Sequence, residues 1–129
     1  MALSVSPLYA GLLALLFIAL SFRVIFQRIA TRQSLGDGGD KALETRIRVQ
    51  GNFAEYTTFA LILLLLVELQ GAPLWVVHLL GAALLAGRLA HAWGMSATPM
   101  ILPLRQGGMV LTFLMMGLAG LGLIGHALL

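Results

Sequence analysis

The chain reads as an all-α integral membrane protein, a four-transmembrane-helix bundle filling residues 1–129 as a single domain. Three observations carry that expectation. Of the 129 residues 60% are hydrophobic and only 10% charged, with a mean hydropathy of +0.97. A soluble domain of this size has too little interior to hide so much apolar surface. Four apolar stretches, each close to the ~20 residues that a bilayer-crossing helix needs, are separated by segments rich in turn formers. The charges gather at one end of those stretches, as they do at the ends of membrane spans.

The first stretch, MALSVSPLYAGLLALLFIALSF, lacks a basic leader and a clear cleavage site, so it is expected to be a retained span from about Pro7 to Phe26. Pro7 suits a first helical turn, where its missing N–H costs nothing. Arg23 and Arg28 mark the far end, and Ser34–Asp40, SLGDGGD, is a turn-rich loop. Span two is expected over Lys41–Leu69. The short Gln70–Pro73 connection makes it an antiparallel neighbour of span three, Leu74–Met95. A loop over Ser96–Gln106, holding Pro99 and Pro103, leads to span four, Gly107–Leu128. The small residues Ala82, Ala86, Ala90 and Gly94, and the glycines Gly117, Gly120, Gly122 and Gly125, read as helix-packing stripes.

Charge orients the four spans. The two termini and the Gln70 loop share a side that has no Lys or Arg. Arg23, Arg28, Arg32, Lys41, Arg46, Arg48, Arg88 and Arg105 lie on or near the other. By the positive-inside rule that basic side is cytoplasmic and both termini are not, which for a bacterial chain means an inner-membrane protein. The formal net charge of +3 belongs to topology and anionic ligands, not to nucleic acid, because the basic residues flank apolar spans. The absence of cysteine excludes disulfides, thiolate metal sites and a cysteine nucleophile. His and Glu never fall at zinc spacing, and no phosphate loop or nucleophile triad is visible, so no metal is expected.

Span two carries the chemistry. Arg48, Asn52 and Glu55 stand at i, i+4 and i+7, on one helical face. Glu55 lies about 10 Å beyond Arg48 at ~1.5 Å per residue, inside the apolar layer. Polar groups at that depth are costly and face the protein interior or a wet cavity. Either Glu55 forms an intramembrane ion pair, or it receives a ligand amine or holds an arginine for a ligand carboxylate. Arg88 and His91, at i and i+3 on span three, add a basic face at the same end. Arg105 stands just before span four. His78 and His126 are isolated, Glu68 is expected to be solvated, and Asp37–Asp40 reads as a turn. Together these residues describe a basic cavity with one or two acidic groups, suited to a small ligand with several carboxylates and an amine.

The run Arg48-Val-Gln-Gly-Asn52-Phe-Ala-Glu55-Tyr56 resembles the second-helix signature of the MAPEG family, the membrane-associated proteins in eicosanoid and glutathione metabolism. Leu35–Gly39 resembles the bacterial branch, and Gly87-Arg88-Leu-Ala-His91 a third-helix segment of the family. The likeness runs from about Arg23 into span four. It implies a homotrimer of four-helix subunits with glutathione bound between neighbours, near the cytoplasmic face. It further implies that Arg48, Asn52, Glu55 and Tyr56 hold glutathione, that Arg28 supplies the basic residue at the end of span one, and that Gln50, Arg88 and His91 complete the binding set. Pro103-Leu-Arg105 resembles the segment with the catalytic arginine that stabilises the glutathione thiolate. The pattern departs from the family's synthases at Met95, Gln106 and Met109, where a serine and tyrosines are common.

Two functions follow. One is a glutathione-dependent transferase or peroxidase, acting on a small lipophilic electrophile that enters from the membrane lipid. The other is a non-enzymatic structural or ligand-binding protein that keeps the fold and the trimer. A channel or transporter subunit fits less well, because the polar groups cluster at one end and not at the midplane.

Overall fold

The computed structural model describes residues 2–129. Four helices follow one another: α1 (Ser6–Thr31), α2 (Lys41–Leu69), α3 (Leu74–Ser96) and α4 (Leu102–Leu128). All four are long and apolar enough to cross a membrane. Helices α2 and α3 form the middle of the bundle. Helix α1 packs on both of them, as does α4, and α1 and α4 make no mutual contact among the described residues.

The helix ends explain two differences from the expected boundaries. Helix α1 continues five residues past Phe26, and Arg32 closes it in a left-handed conformation with φ 55°. Arg28 Nη1 donates to the carbonyls of Gln33 and Gly36, at 3.1 and 2.7 Å, tying the following loop to the helix end. Helix α4 starts at Leu102, not Gly107, because Pro103 sits in its first turn, where proline is preorganised. Arg105 therefore lies on the helix instead of before it. Helix α2 starts where expected: Asp40 Oδ1 accepts the Leu43 N–H at 2.7 Å, an N-cap. Asp37 Oδ1 accepts from Gly39 N, so the Asp37–Asp40 run is a turn that feeds this cap.

Glu68 is a correction. It is 5% exposed and not solvated. Its Oε1 accepts the N–H groups of Ser4 and Val5 at 2.7 and 2.9 Å, and Oε2 accepts Ser6 N at 2.6 Å. The carboxylate at the end of α2 thus satisfies donors that the start of α1 leaves open, at the positive end of the α1 dipole. His78 also has a partner: Tyr9 Oη lies 3.1 Å from its Nδ1 and donates to its carbonyl at 3.1 Å.

The packing stripes are used only in part within one chain. Ala82 and Ala86 are exposed and Ala90 is half-buried on the single chain, and a side chain on Gly117, Gly120, Gly122 or Gly125 would meet nothing within 4 Å. The close approach between α3 and α4 uses Gly94 of the first stripe, together with Gly87 and Gly108. A Cβ on Gly87 would sit 2.8 Å from the Gly108 carbonyl oxygen, and one on Gly94 would sit 2.5 Å from Arg105 N. Periodicity alone does not reveal which of several small-residue faces meets a neighbour.

Leu13, Leu64, Leu84 and Met115 are fully buried and centre the core. Large apolar side chains, including Phe26, Trp75, Trp93 and Leu121, cover the outside. An apolar exterior over a thin core is what helices facing hydrocarbon require.

Candidate functional site

Helix α2 divides its signature residues between two faces. Asn52 and Tyr56 turn inward, toward α3 and α4. Arg88, 1% exposed, donates from Nη2 to Asn52 Oδ1 at 2.8 Å and from Nη1 to the Asn52 carbonyl at 3.4 Å. Its Nη2 also lies 3.6 Å from Met109 Sδ, and its Cζ stands 6.0 Å from the Tyr56 ring centroid. The Tyr56 ring meets Phe113 edge-on, with centroids 5.4 Å apart. A charged guanidinium is thus buried among one amide, a thioether and an aromatic face, with no carboxylate in the set. Its Nε has no partner. His91 is buried one turn further along α3, its backbone against Gly108.

Arg48 and Glu55 turn outward, and both are exposed. Gly51 lies between them. A point one bond out from its Cα is 3.9 Å from Arg48 Nη1 and 4.0 Å from Glu55 Oε1. The two do not form an ion pair; among the described residues only Lys41 and Glu44 do. A cation and an anion therefore flank a glycine that leaves the space between them open. The intramembrane ion-pair reading of Glu55 does not hold within one chain.

The remaining predicted residues lie apart. Gln50 Nε2 donates to Ser21 Oγ of α1 at 2.9 Å. Arg28 is engaged with its own loop. Arg105 Nη1 reaches Met100 Sδ at 3.2 Å, on the connection before α4. Within one chain the structure brings together Asn52, Tyr56, Arg88 and His91 as one group and Arg48 and Glu55 as another. It joins neither group to Arg28 or Gln50, whereas Arg105 stands near enough to His91 for their charges to interact.

Sequence reasoning missed Met109 and Phe113 as partners of the Arg88 group, because a methionine and a phenylalanine on an apolar span carry no distinguishing signal. Gly51 was legible in principle: it is the one glycine of α2, and it falls between Arg48 and Glu55.

The chain is 48% identical over 90 residues to inner membrane protein YecN of Escherichia coli strain K12, covering 70% of this chain and 69% of that protein. The same figures hold for YecN of Escherichia coli O6:H1. Those names give a membrane address and no activity. No solved structure matches the chain. The sequence pattern of the MAPEG family matches residues 6–125, a range that takes in all four spans, both polar faces of α2 and the glycine contacts of α3 with α4; on that match, the chain belongs to the MAPEG family.

Proposed function

We propose that the protein binds glutathione and conjugates it to, or uses it to reduce, a lipophilic electrophile drawn from the membrane. The observation that carries this reading is the unpaired Arg48 and Glu55 on either side of Gly51. Glutathione has two carboxylates and one ammonium group. Arg48 fits a carboxylate in bidentate fashion, and Glu55 fits the ammonium. Two free charges on an outward face of a span are costly against hydrocarbon, so a second copy of the chain, in a trimer, is the cover that lets them face a polar cleft. Arg28 and Gln50, remote from this face within one chain, then reach it from the neighbouring subunit. Asn52, Tyr56, Arg88 and His91 back the face from inside and set the pitch of α2 against α3. The basic end of the bundle faces the cytosol in this arrangement, where glutathione is supplied.

When bound, glutathione supplies a thiol as the nucleophile. Arg105, at the start of α4, would favour the ionised form of that thiol. A drop of two pKa units needs roughly 3 kcal/mol, which a guanidinium in a partly desolvated cleft supplies.

The test is thermal unfolding of the detergent-purified protein with and without millimolar glutathione. Stabilisation that disappears in both Arg48→Ala and Glu55→Gln supports the site. No shift at saturating glutathione removes it.

One observation favours a second reading, a non-enzymatic ligand-binding member. The Arg105 guanidinium is turned to Met100, on its own connection. Turnover of chlorodinitrobenzene with glutathione, lost in Arg105→Ala, excludes that reading.

A further inference from the structure

A second polar site lies at the arginine-rich end of the bundle, built from residues outside the proposed glutathione set. A cavity of ≈ 360 Å³ opens between α1, the start of α2 and the α3–α4 connection, lined by Arg23, Lys41, Thr45, Arg46, Ser96 and Thr98. It is far larger than the ~30 Å³ share of one water molecule. Arg23 and Arg46 are half-buried and held in place through neutral oxygens. Arg23 Nη1 donates to Ser96 Oγ at 2.9 Å, and Arg46 Nη1 donates to the Arg23 carbonyl at 2.9 Å. Among the described residues neither guanidinium has a carboxylate within 4.0 Å; Lys41 alone is paired, with Glu44, on a side chain that is 89% exposed.

Two neighbouring guanidinium groups without a counter-charge repel each other, and an anion placed between them relieves that repulsion. Each arginine uses one of its five N–H donors in a hydrogen bond within the chain, leaving forked donors for oxyanion oxygens. Hydroxyls of Thr45, Ser96 and Thr98 add neutral donors, which suit an anion with three or four oxygens better than a lone carboxylate.

Depth favours the same chemistry. Arg23 lies seventeen residues beyond Ser6, about 26 Å along α1 at ~1.5 Å per residue, close to the ~30 Å hydrocarbon thickness of a bilayer. The cavity is therefore at headgroup level. Met95 and Met100 on its wall give an apolar side to the same opening. We propose that this cavity binds a phosphate-class oxyanion, carried either by an anionic phospholipid or by a soluble phosphoester.

The full chain in neutral detergent is titrated with short-chain phosphatidylglycerol and with phosphatidylcholine of equal chain length. In a parallel arm it is titrated with sodium phosphate against sodium chloride at equal ionic strength. Binding is read by native mass spectrometry and by thermal unfolding. Phosphatidylglycerol is expected to bind about tenfold or more tighter than phosphatidylcholine, as several basic residues acting on one anion allow. The Arg23→Gln, Arg46→Gln double variant loses that preference, and Arg48→Ala keeps it. Stabilisation by sodium phosphate as well assigns the site to the phosphate group alone; a response to phosphatidylglycerol only assigns it to the lipid. Equal binding of the two lipids, with phosphate no better than chloride, overturns the proposal. So does a double variant that keeps the full preference. If that variant does not fold, the Lys41→Gln, Ser96→Ala pair, at two positions that are not buried, is read in its place. A loss of about threefold or more supports the site, since each basic residue near a headgroup contributes on the order of 1 kcal/mol, and an unchanged preference overturns it.

Discussion

Arg88 Nη2 and Asn52 Oδ1 meet at 2.8 Å across the α2–α3 interface, and this bond fixes which way the signature helix faces. Asn52 is engaged by α3, while Arg48 and Glu55, further round the same broad helical face, stay exposed. The pair thus marks the border between the packed and the exposed part of α2, although Asn52 and Glu55 are only three residues apart.

Asn52→Ala leaves a buried guanidinium without its side-chain oxygen partner, keeping only the longer bond to the residue 52 carbonyl. It is expected to lower stability by about 1–3 kcal/mol, the cost of stranding a buried charged donor. Arg88→Met in the Asn52→Ala background is expected to recover part of that loss, because the unpaired charge is gone. Thermal unfolding of the two single variants and the double variant measures the coupling.

Glu68→Gln keeps the shape of the cap and removes its charge. Three backbone donors then share a neutral amide with one acceptor oxygen. A destabilisation of about 1–3 kcal/mol is expected, the scale of charge-assisted bonds. Faster amide hydrogen exchange at Val5 and Ser6 would locate the loss at the start of α1.

Gly87→Ala and Gly108→Ala force the α3 and α4 backbones apart, since each new Cβ meets backbone of the opposite helix. Each is expected to cost about 1–3 kcal/mol, the usual scale for overpacking. Gly117→Ala, where a Cβ meets nothing within 4 Å, is expected to leave the monomer fold unchanged. The comparison of melting temperatures checks the first two against the third. A Gly117→Ala variant as damaged as Gly87→Ala would contradict the packing described.

Arg48→Ala and Glu55→Gln leave the chain's own hydrogen bonds intact and should fold as the parent does. On the proposed function they are expected to lose ligand linkage, about 2.7 kcal/mol of stabilisation at a hundredfold excess over the dissociation constant. Unfolding curves with and without glutathione separate this effect from a general loss of stability.

The helical class, the four spans and the α2 boundaries were legible because apolar length and the Asp40 cap are local signals. The inward or outward choice along α2 was not. Arg48, Asn52 and Glu55 fall within one broad face by spacing, and only the partner on α3 decides which of them is buried. Glu68 was misread for a related reason. A carboxylate at a helix end is usually wet, and nothing near it in sequence announces that residues more than sixty positions earlier will wrap around it. The α4 start is not legible because Pro103 suits a loop and a first helical turn equally well. The Gly87–Gly108 contact was hidden among better-spaced small residues that face outward.

The Glu68 cap has a consequence for biogenesis. The donors at residues 4–6 meet their acceptor only when residue 68 has emerged and the second span lies beside the first. During synthesis the leading end of α1 is uncapped for the whole interval between the two. The start of α1 therefore completes its hydrogen bonds only once α2 lies beside it, so the two helices form a hairpin latched at its open end.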